Sequence, residues 1–268
     1  LQENERPPLV IFLHGGPTSA AYPVFDPRIQ FWTQRGFAVA DLNYRGSTGF
    51  GRAYRHMLAG RWGELEVADV LALADTLVAQ GRAHPQQLFV RGASAGGYSS
   101  LLAVAASRRF AAAASWYGVS DPLALDKVTH KFEGDYLGWL LGPLSGANLA
   151  AVRRRSPLAL AGQIRSPVIF FQGGQDVVVV PEQTRSMVRQ LQALGVEVEC
   201  HEFPEQGHGF RCAERLAFAL EAELAFYRRQ LAVILRAPPS SCAHLPSSCA
   251  KSQDPPEHYT ATPPPRNR

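Results

Sequence analysis

The sequence predicts an open α/β sheet, mostly parallel, with helices on both faces. Three observations carry that expectation. Apolar runs of strand length, bounded by glycine or proline, alternate with longer stretches of helical periodicity. Most of the runs are nearly continuous in apolar residues, as strands buried on both faces are. Glycine-rich turns follow the runs at their carboxyl ends, where ligands bind in sheets of this kind.

The elements follow in order. Leu9–Leu13 is a continuous apolar run ending in His14-Gly15-Gly16-Pro17. Phe37–Ala40 leads through Asp41–Tyr44 to Gly46. Leu88–Val90 leads into Arg91-Gly92, Ala111–Tyr117 ends at Gly118, and Val168–Phe171 ends at Gly173-Gly174. Val196–Phe203 alternates and then meets Pro204. Between the strands, Glu66–Ala79 sets Val67, Val70, Leu71, Ala74, Leu77 and Val78 on one helical face. Tyr98–Ala106 is a second helical stretch. Pro181 opens a helix through Leu194, with Met187, Val188, Leu191 and Leu194 inward and Gly195 as the stop. Cys212–Leu235 is a long final helix.

Composition limits the alternatives. A chain of 268 residues, 46% hydrophobic, can bury one sizeable core and is short for two full domains. The net charge of +4 is small and spread along the chain, which argues against a nucleic-acid partner. No apolar run approaches the roughly 18 residues of a membrane span, so no membrane association is expected. The cysteines at 200, 212, 242 and 249 form no CxxC pair and no metal-finger spacing. A reducing, cytoplasmic setting is the default expectation. Residues 237–268 hold 8 of the 20 prolines and a single aromatic, Tyr259. They read as a disordered Pro-rich tail, with a polyproline II ligand as the alternative. The expected catalytic domain is therefore 1–236.

Gly92-Ala93-Ser94-Ala95-Gly96 matches G-x-S-x-G, between an apolar strand and a helical stretch. That is the setting of a nucleophile elbow, in which larger flanking side chains would collide with the neighbouring strand and helix. An ordinary glycine-rich strand-to-helix turn is the alternative. A serine hydroxyl needs a base, and the base an orienting acid. Asp176 follows the Val168–Phe171 strand, and His208 follows the Val196–Phe203 strand within Glu205-Gln206-Gly207-His208-Gly209-Phe210. Ser94, Asp176 and His208 thus stand in the order Ser, Asp, His, each at a strand's carboxyl end. His201 falls within a strand, Asp121 follows an earlier one and His130 lies in an irregular insert, so these are weaker candidates. For the oxyanion, one donor is expected from the N–H of Ala95. The second is expected from the His14–Pro17 loop, with Gly16 the choice.

His14-Gly-Gly-Pro17, Asn43-Tyr-Arg-Gly-Ser-Thr-Gly-Phe-Gly51, Gly92-Ala-Ser-Ala-Gly-Gly-Tyr98, Asp176 and Gly207-His-Gly-Phe210 together resemble the catalytic domain of the prolyl oligopeptidase (S9) family of serine peptidases, in its acylaminoacyl-peptidase-like branch. The resemblance runs from about Pro7 to Leu235. It implies an α/β-hydrolase fold, with Ser94 as nucleophile, His208 as base and Asp176 as orienting acid. It also implies hydrolysis of peptide bonds in short peptides through an acyl-enzyme, with no cofactor and no metal. Some relatives use a tyrosine hydroxyl in the oxyanion hole; the His-Gly-Gly here favours a backbone donor.

Family members carry a β-propeller, and further strands, ahead of the segment matched here. The sequence is accordingly expected to be a fragment lacking its N-terminal strands, with a missing propeller as partner and the Phe37–Asn43 strand as an open sheet edge. In the insert at about 122–156, Phe132, Tyr136 and Trp139 are candidates for an apolar substrate pocket. A small helical cap with its own core is the alternative. Arg153-Arg154-Arg155 reads as a solvated run, or as neutralising a substrate carboxylate or a neighbouring acid. Trp62-Gly63-Glu64 and Asp69 are expected to position the helix near the elbow. An esterase on the same fold, and an inactive fragment, remain the rival readings.

Overall fold

Six strands form one sheet, ordered β2-β1-β3-β4-β5-β6, every pair parallel. The computed structural model describes residues 6–128 and 131–236, with side chains outside 127–134; the expected tail at 237–268 and His130 lie outside the described residues. The strands are β1 (Leu9–Leu13), β2 (Ala38–Leu42), β3 (Leu88–Ala93), β4 (Phe110–Trp116), β5 (Val168–Gly173) and β6 (Val198–Phe203). Each coincides with an apolar run of the sequence to within a few residues. The helices are α1 (Pro27–Thr33), α2 (Gly51–His56), α3 (Leu65–Ala79), α4 (Ala95–Ala106), α5 (Pro122–Val128), α6 (Lys131–Leu141), α7 (Gly146–Arg153), α8 (Pro181–Ala193) and α9 (Ala213–Arg236).

The continuity of the apolar runs has a direct cause. Alternate side chains of each strand enter different cores, one on each face of the sheet. Leu9, Ile11, Leu13, Leu88, Val90, Val168 and Phe170 pack with α3, α4 and α8. Val10, Phe12, Phe89, Ile169 and Phe171 pack with Trp32 of α1 and with Phe226 and Tyr227 of α9. On the four inner strands neither face is left to solvent, so neither register can be polar; the edge strands β2 and β6 carry exposed residues such as Asp41 and Cys200. β2 pairs only with β1 and forms an edge of the sheet, as the strand order anticipated.

A third cluster lies above the carboxyl ends of the strands. It joins Trp62 and Leu65 to Ala95 and Tyr98 of α4, and to Leu137, Leu140, Leu141 and Val152 of the insert. The insert is thus a helical cap, and it shares its core with the elbow helix. On α8, Met187 and Leu191 are buried as expected, but Leu194 is 44% exposed because the helix ends at Ala193. Gln183 and Thr184 are buried in its place; Gln183 Oε1 accepts from the backbone N–H groups of Ser120 and Asp121, at 2.8 and 2.7 Å. The short helices α1 and α2 had no periodic signal, because a seven- or six-residue helix spans too few turns to show one. No helix of the described residues is long and apolar enough to cross a membrane.

Candidate active site

Ser94 stands between β3 and α4 with φ 55° and ψ −119°. That left-handed conformation is costly for a residue with a Cβ, and it persists because the surroundings leave no alternative. Its carbonyl accepts from Tyr98 N at 3.1 Å, and its N–H donates to Trp116 O at 2.9 Å. The flanking glycines are sterically required. A Cβ on Gly92 would lie 2.3 Å from the carbonyl carbon of Gly96, and one on Gly96 would lie 2.1 Å from Leu13 O. The elbow therefore closes only because strand and helix backbones meet with no side chain between them.

Asp176 and His208 come from separate loops that touch through backbone. A Cβ on Gly173 would lie 2.3 Å from Gly207 O, and one on Gly174 would lie 2.7 Å from Pro204 Cα. The buried Asp176 carboxylate accepts at Oδ1 from the N–H groups of Val178 and Val179, both at 2.9 Å. Its Oδ2 takes the Nδ1–H of His208 at 2.8 Å and an N–H of Gln172 at 3.3 Å. His208 Nε2 then lies 3.0 Å from Ser94 Oγ. The ring of Tyr117 stands edge-on to the imidazole, with centroids 4.8 Å apart. The rival candidates are engaged elsewhere. His201 pairs with Glu199, and Asp121 accepts from Leu123 N at the head of α5.

The loop after β1 is braced by the Asn43–Gly51 segment, a role the sequence did not disclose. His14 stacks on Tyr44, with ring centroids 4.2 Å apart. Its Nδ1 donates to Gly15 O at 2.8 Å and its Nε2 lies 2.7 Å from Ser47 Oγ. The Tyr44 hydroxyl reaches the carbonyls of His14 at 2.9 Å and Pro17 at 3.2 Å. Burial lowers the His14 pKa below its ordinary value, against the raising effect of its bond to Gly15 O. Gly16 adopts φ 117°. Among the described residues, no acceptor takes the N–H of Gly16 or of Ala95.

Gly16, Ser94 and Ala95 open onto a pocket of about 130 Å³ whose wall is otherwise apolar, with Trp62, Val119, Leu140, Val178 and Val179 among its residues. Of the three insert residues expected there, Tyr136 lines it, its hydroxyl 2.7 Å from Thr18 Oγ1. Trp139 does not line it; its ring stacks on Tyr136 and meets His56 at the end of α2. The Phe132 side chain lies outside the described residues. Trp62 and the two valines were missed, although a run of four valines straight after Asp176 was a legible signal.

Two other expectations need correction. Arg153 and Arg154 are exposed, but Arg155 is 5% exposed: it donates to the carbonyls of Gly60, Trp62 and Leu141 and lies 3.7 Å from the Glu64 carboxylate. Asp69 does not reach the elbow; it accepts from Arg45 N at 2.7 Å and pairs with the Arg45 guanidinium. The acid that touches the elbow helix is Glu66, fully buried, with Oε1 taking Gly63 N–H at 2.6 Å and the Ser99 hydroxyl at 3.3 Å. Its Oε2 has no partner. Burial pushes its carboxyl up to about 7.

Comparison with known proteins places the chain among serine peptidases of one family. A family model described as the prolyl oligopeptidase family matches residues 23–233. A puromycin-hydrolyzing peptidase of Mycobacterium tuberculosis superposes with a TM-score of 0.82 at 42% identity, over 85% of this chain and 35% of that one. The acylamino-acid-releasing enzyme of Arabidopsis thaliana is 31% identical over 75% of this chain and 27% of its own length. Dipeptidyl aminopeptidase BIII of Pseudoxanthomonas mexicana is 30% identical over 76% of this chain and 30% of its own. The chain spans less than a third of the length of these two curated relatives.

Proposed function

The chain belongs to the prolyl oligopeptidase family, and on that premise we propose that it hydrolyses amide bonds of short peptides through an acyl-enzyme on Ser94. The observation that carries this reading is the unbroken relay from Ser94 Oγ through His208 to the buried Asp176, at 3.0 and 2.8 Å. His208 Nε2 accepts the serine proton as Oγ attacks the carbonyl carbon. Asp176 holds the imidazole in the tautomer with Nδ1 protonated and stabilises the imidazolium that forms. The free N–H groups of Ala95 and Gly16 receive the oxyanion. His208 then protonates the leaving nitrogen, and water repeats the sequence on the ester.

The apolar pocket beside Ser94 is the natural seat of the side chain on the acyl side of the bond. Its size and its Trp62, Leu140 and valine walls favour an apolar residue there. Puromycin is a reasonable first compound, because the Mycobacterium tuberculosis relative is a puromycin-hydrolyzing peptidase.

The test is kcat/KM on matched amide and ester substrates with an apolar acyl residue, using the full chain and His208→Ala. Turnover of the amide, lost by several orders of magnitude in the variant, is expected. Ester turnover without amide turnover would make the protein an esterase. No turnover of either by a well-folded chain would make it an inactive fragment.

A further inference from the structure

Two cavities flank Ser94 and share no lining residue. The smaller is the acyl-side pocket described above, bounded by Gly16 and Ala95. The larger, about 710 Å³, lies on the other flank: Gly15 and Ala93 face it, as do Tyr117 and Gly209. Gly209 directly follows His208, and Tyr117 packs against the imidazole. In acyl transfer the leaving nitrogen takes its proton from the imidazole, so the leaving group sits on the flank where the base stands. We infer that this larger cavity is the leaving-group subsite and that it selects an amine bearing an aromatic side chain. The inference rests on the assignment of Ser94 and His208 above.

The chemistry of the walls sets the preference. Tyr117 and Phe210 pack edge to face and line the cavity, together with the exposed rings of Tyr22 and Phe25, while Trp116 and Phe12 are buried beneath them. The cations that line it are already taken. Arg91 is ion-paired with the fully buried Glu223 at 2.8 Å, and its guanidinium lies 4.5 and 5.1 Å from the ring centroids of Phe12 and Trp116. Arg28 is paired with Asp26. Asp41 also lines the cavity and forms no ion pair among the described residues. No cation is therefore left over for a free terminal carboxylate, and Asp41 repels one. A neutral, flat group meets ring faces and edges instead. The volume is that of a ligand site rather than of a single side chain.

Partition of the acyl-enzyme reads this cavity directly. When an added amine replaces water, His208 takes a proton from the attacking nitrogen and the C–N bond forms. The ester bond to Ser94 Oγ then breaks, and Oγ recovers the proton. No further reactant is needed, and by microscopic reversibility the amine enters where the leaving group departs. The full chain is acylated with an ester of an apolar N-acyl amino acid, in the presence of phenylalanine amide or glycine amide.

The expected result is that phenylalanine amide captures the acyl group at least about tenfold better than glycine amide, and better than phenylalanine with its carboxylate free. Leu216→Trp on α9 and Ala20→Trp in the loop after β1 each partly fill the cavity and should narrow the difference between the two amides; two variants are used so that the test survives if one does not fold. Labelling by a fluorophosphonate shows which retain an intact Ser94. Equal capture of the two amides by the wild type would overturn the inference while leaving the Ser94 assignment standing. So would an unchanged preference in a filled variant that still labels. Failure to form any acyl-enzyme would overturn the Ser94 assignment, and the subsite with it.

Discussion

The β3–α4 elbow and the β4–β5 insert both face the pocket beside Ser94, but they are held in place by different means. At the elbow, backbone meets backbone: Gly92 lies on Gly96, and Gly96 lies on Leu13. In the insert, side chains reach distant carbonyls, Arg155 to Gly60 and Trp62, and Tyr136 to the Thr18 side chain. The first arrangement tolerates no added atom. The second tolerates shape changes but not the loss of a donor. Each region can be broken in its own way, and the size of the effect should tell the two apart.

The largest effect is expected from Gly96→Ala. Its Cβ would sit 2.1 Å from Leu13 O and 2.9 Å from His14 O, all of it backbone. Relief requires α4 and β1 to separate, so the chain should fail to fold or lose most of its stability, as read by circular dichroism melting. A variant melting within a few degrees of wild type would mean that the elbow can relax. Arg155→Ala comes next. It strands the buried carbonyl of Trp62 and the half-buried one of Gly60, each costing about 1–3 kcal/mol when unsatisfied, while Leu141 O keeps its bond from Asn148; it removes packing as well. A loss of roughly 3–5 kcal/mol in urea unfolding is expected; under 1 kcal/mol would show that water replaces the guanidinium at little cost.

Glu66 joins the two regions, since it bonds both the Gly63 turn and Ser99 of α4. Its folded pKa of about 7 lies above the ordinary value of 4.5, so between those two pH values the folded state binds a proton that the unfolded state has released. Stability from this group is complete below about pH 4.5 and is lost as pH rises through about 7. The full span is worth about 3 kcal/mol. Glu66→Gln should remove that slope. An equal fall in stability from pH 5 to pH 8 in wild type and variant would assign it to other groups. The smallest effect is expected from Tyr136→Phe, which deletes the 2.7 Å bond to Thr18 at the pocket wall. A loss of about 1 kcal/mol and a rise in KM larger than the fall in kcat would fit a pocket role; a fall in kcat alone would not.

The same contrast explains what the sequence made legible. The strands could be read because burial writes itself in apolar runs, unbroken where both faces are covered, as in Leu9–Leu13, and alternating at the edge strand Val198–Phe203. Ser94, Asp176 and His208 could be picked out because each directly follows such a run, and because close backbone approach demands glycine beside them. Glu66, Arg155 and Tyr44 could not be read in this way. A glutamate between Leu65 and Val67 looks like the solvent face of a helix, and nothing local shows that Gly63 and Ser99 close over it. Arg155 serves carbonyls 95 and 93 residues away in sequence. Beside Arg153 and Arg154 it reads as one more surface charge. Tyr44 braces His14 across 30 residues. Contacts fixed by a distant partner's backbone leave no periodicity or spacing to find.

The most direct test is the reaction of the 268-residue chain with a fluorophosphonate probe, read by mass spectrometry of the labelled peptide, with Ser94→Ala and His208→Ala alongside. The account predicts one label, on Ser94, absent from the first variant and slowed by orders of magnitude in the second. A folded wild-type chain that takes no label, or a label that survives Ser94→Ala, would contradict it.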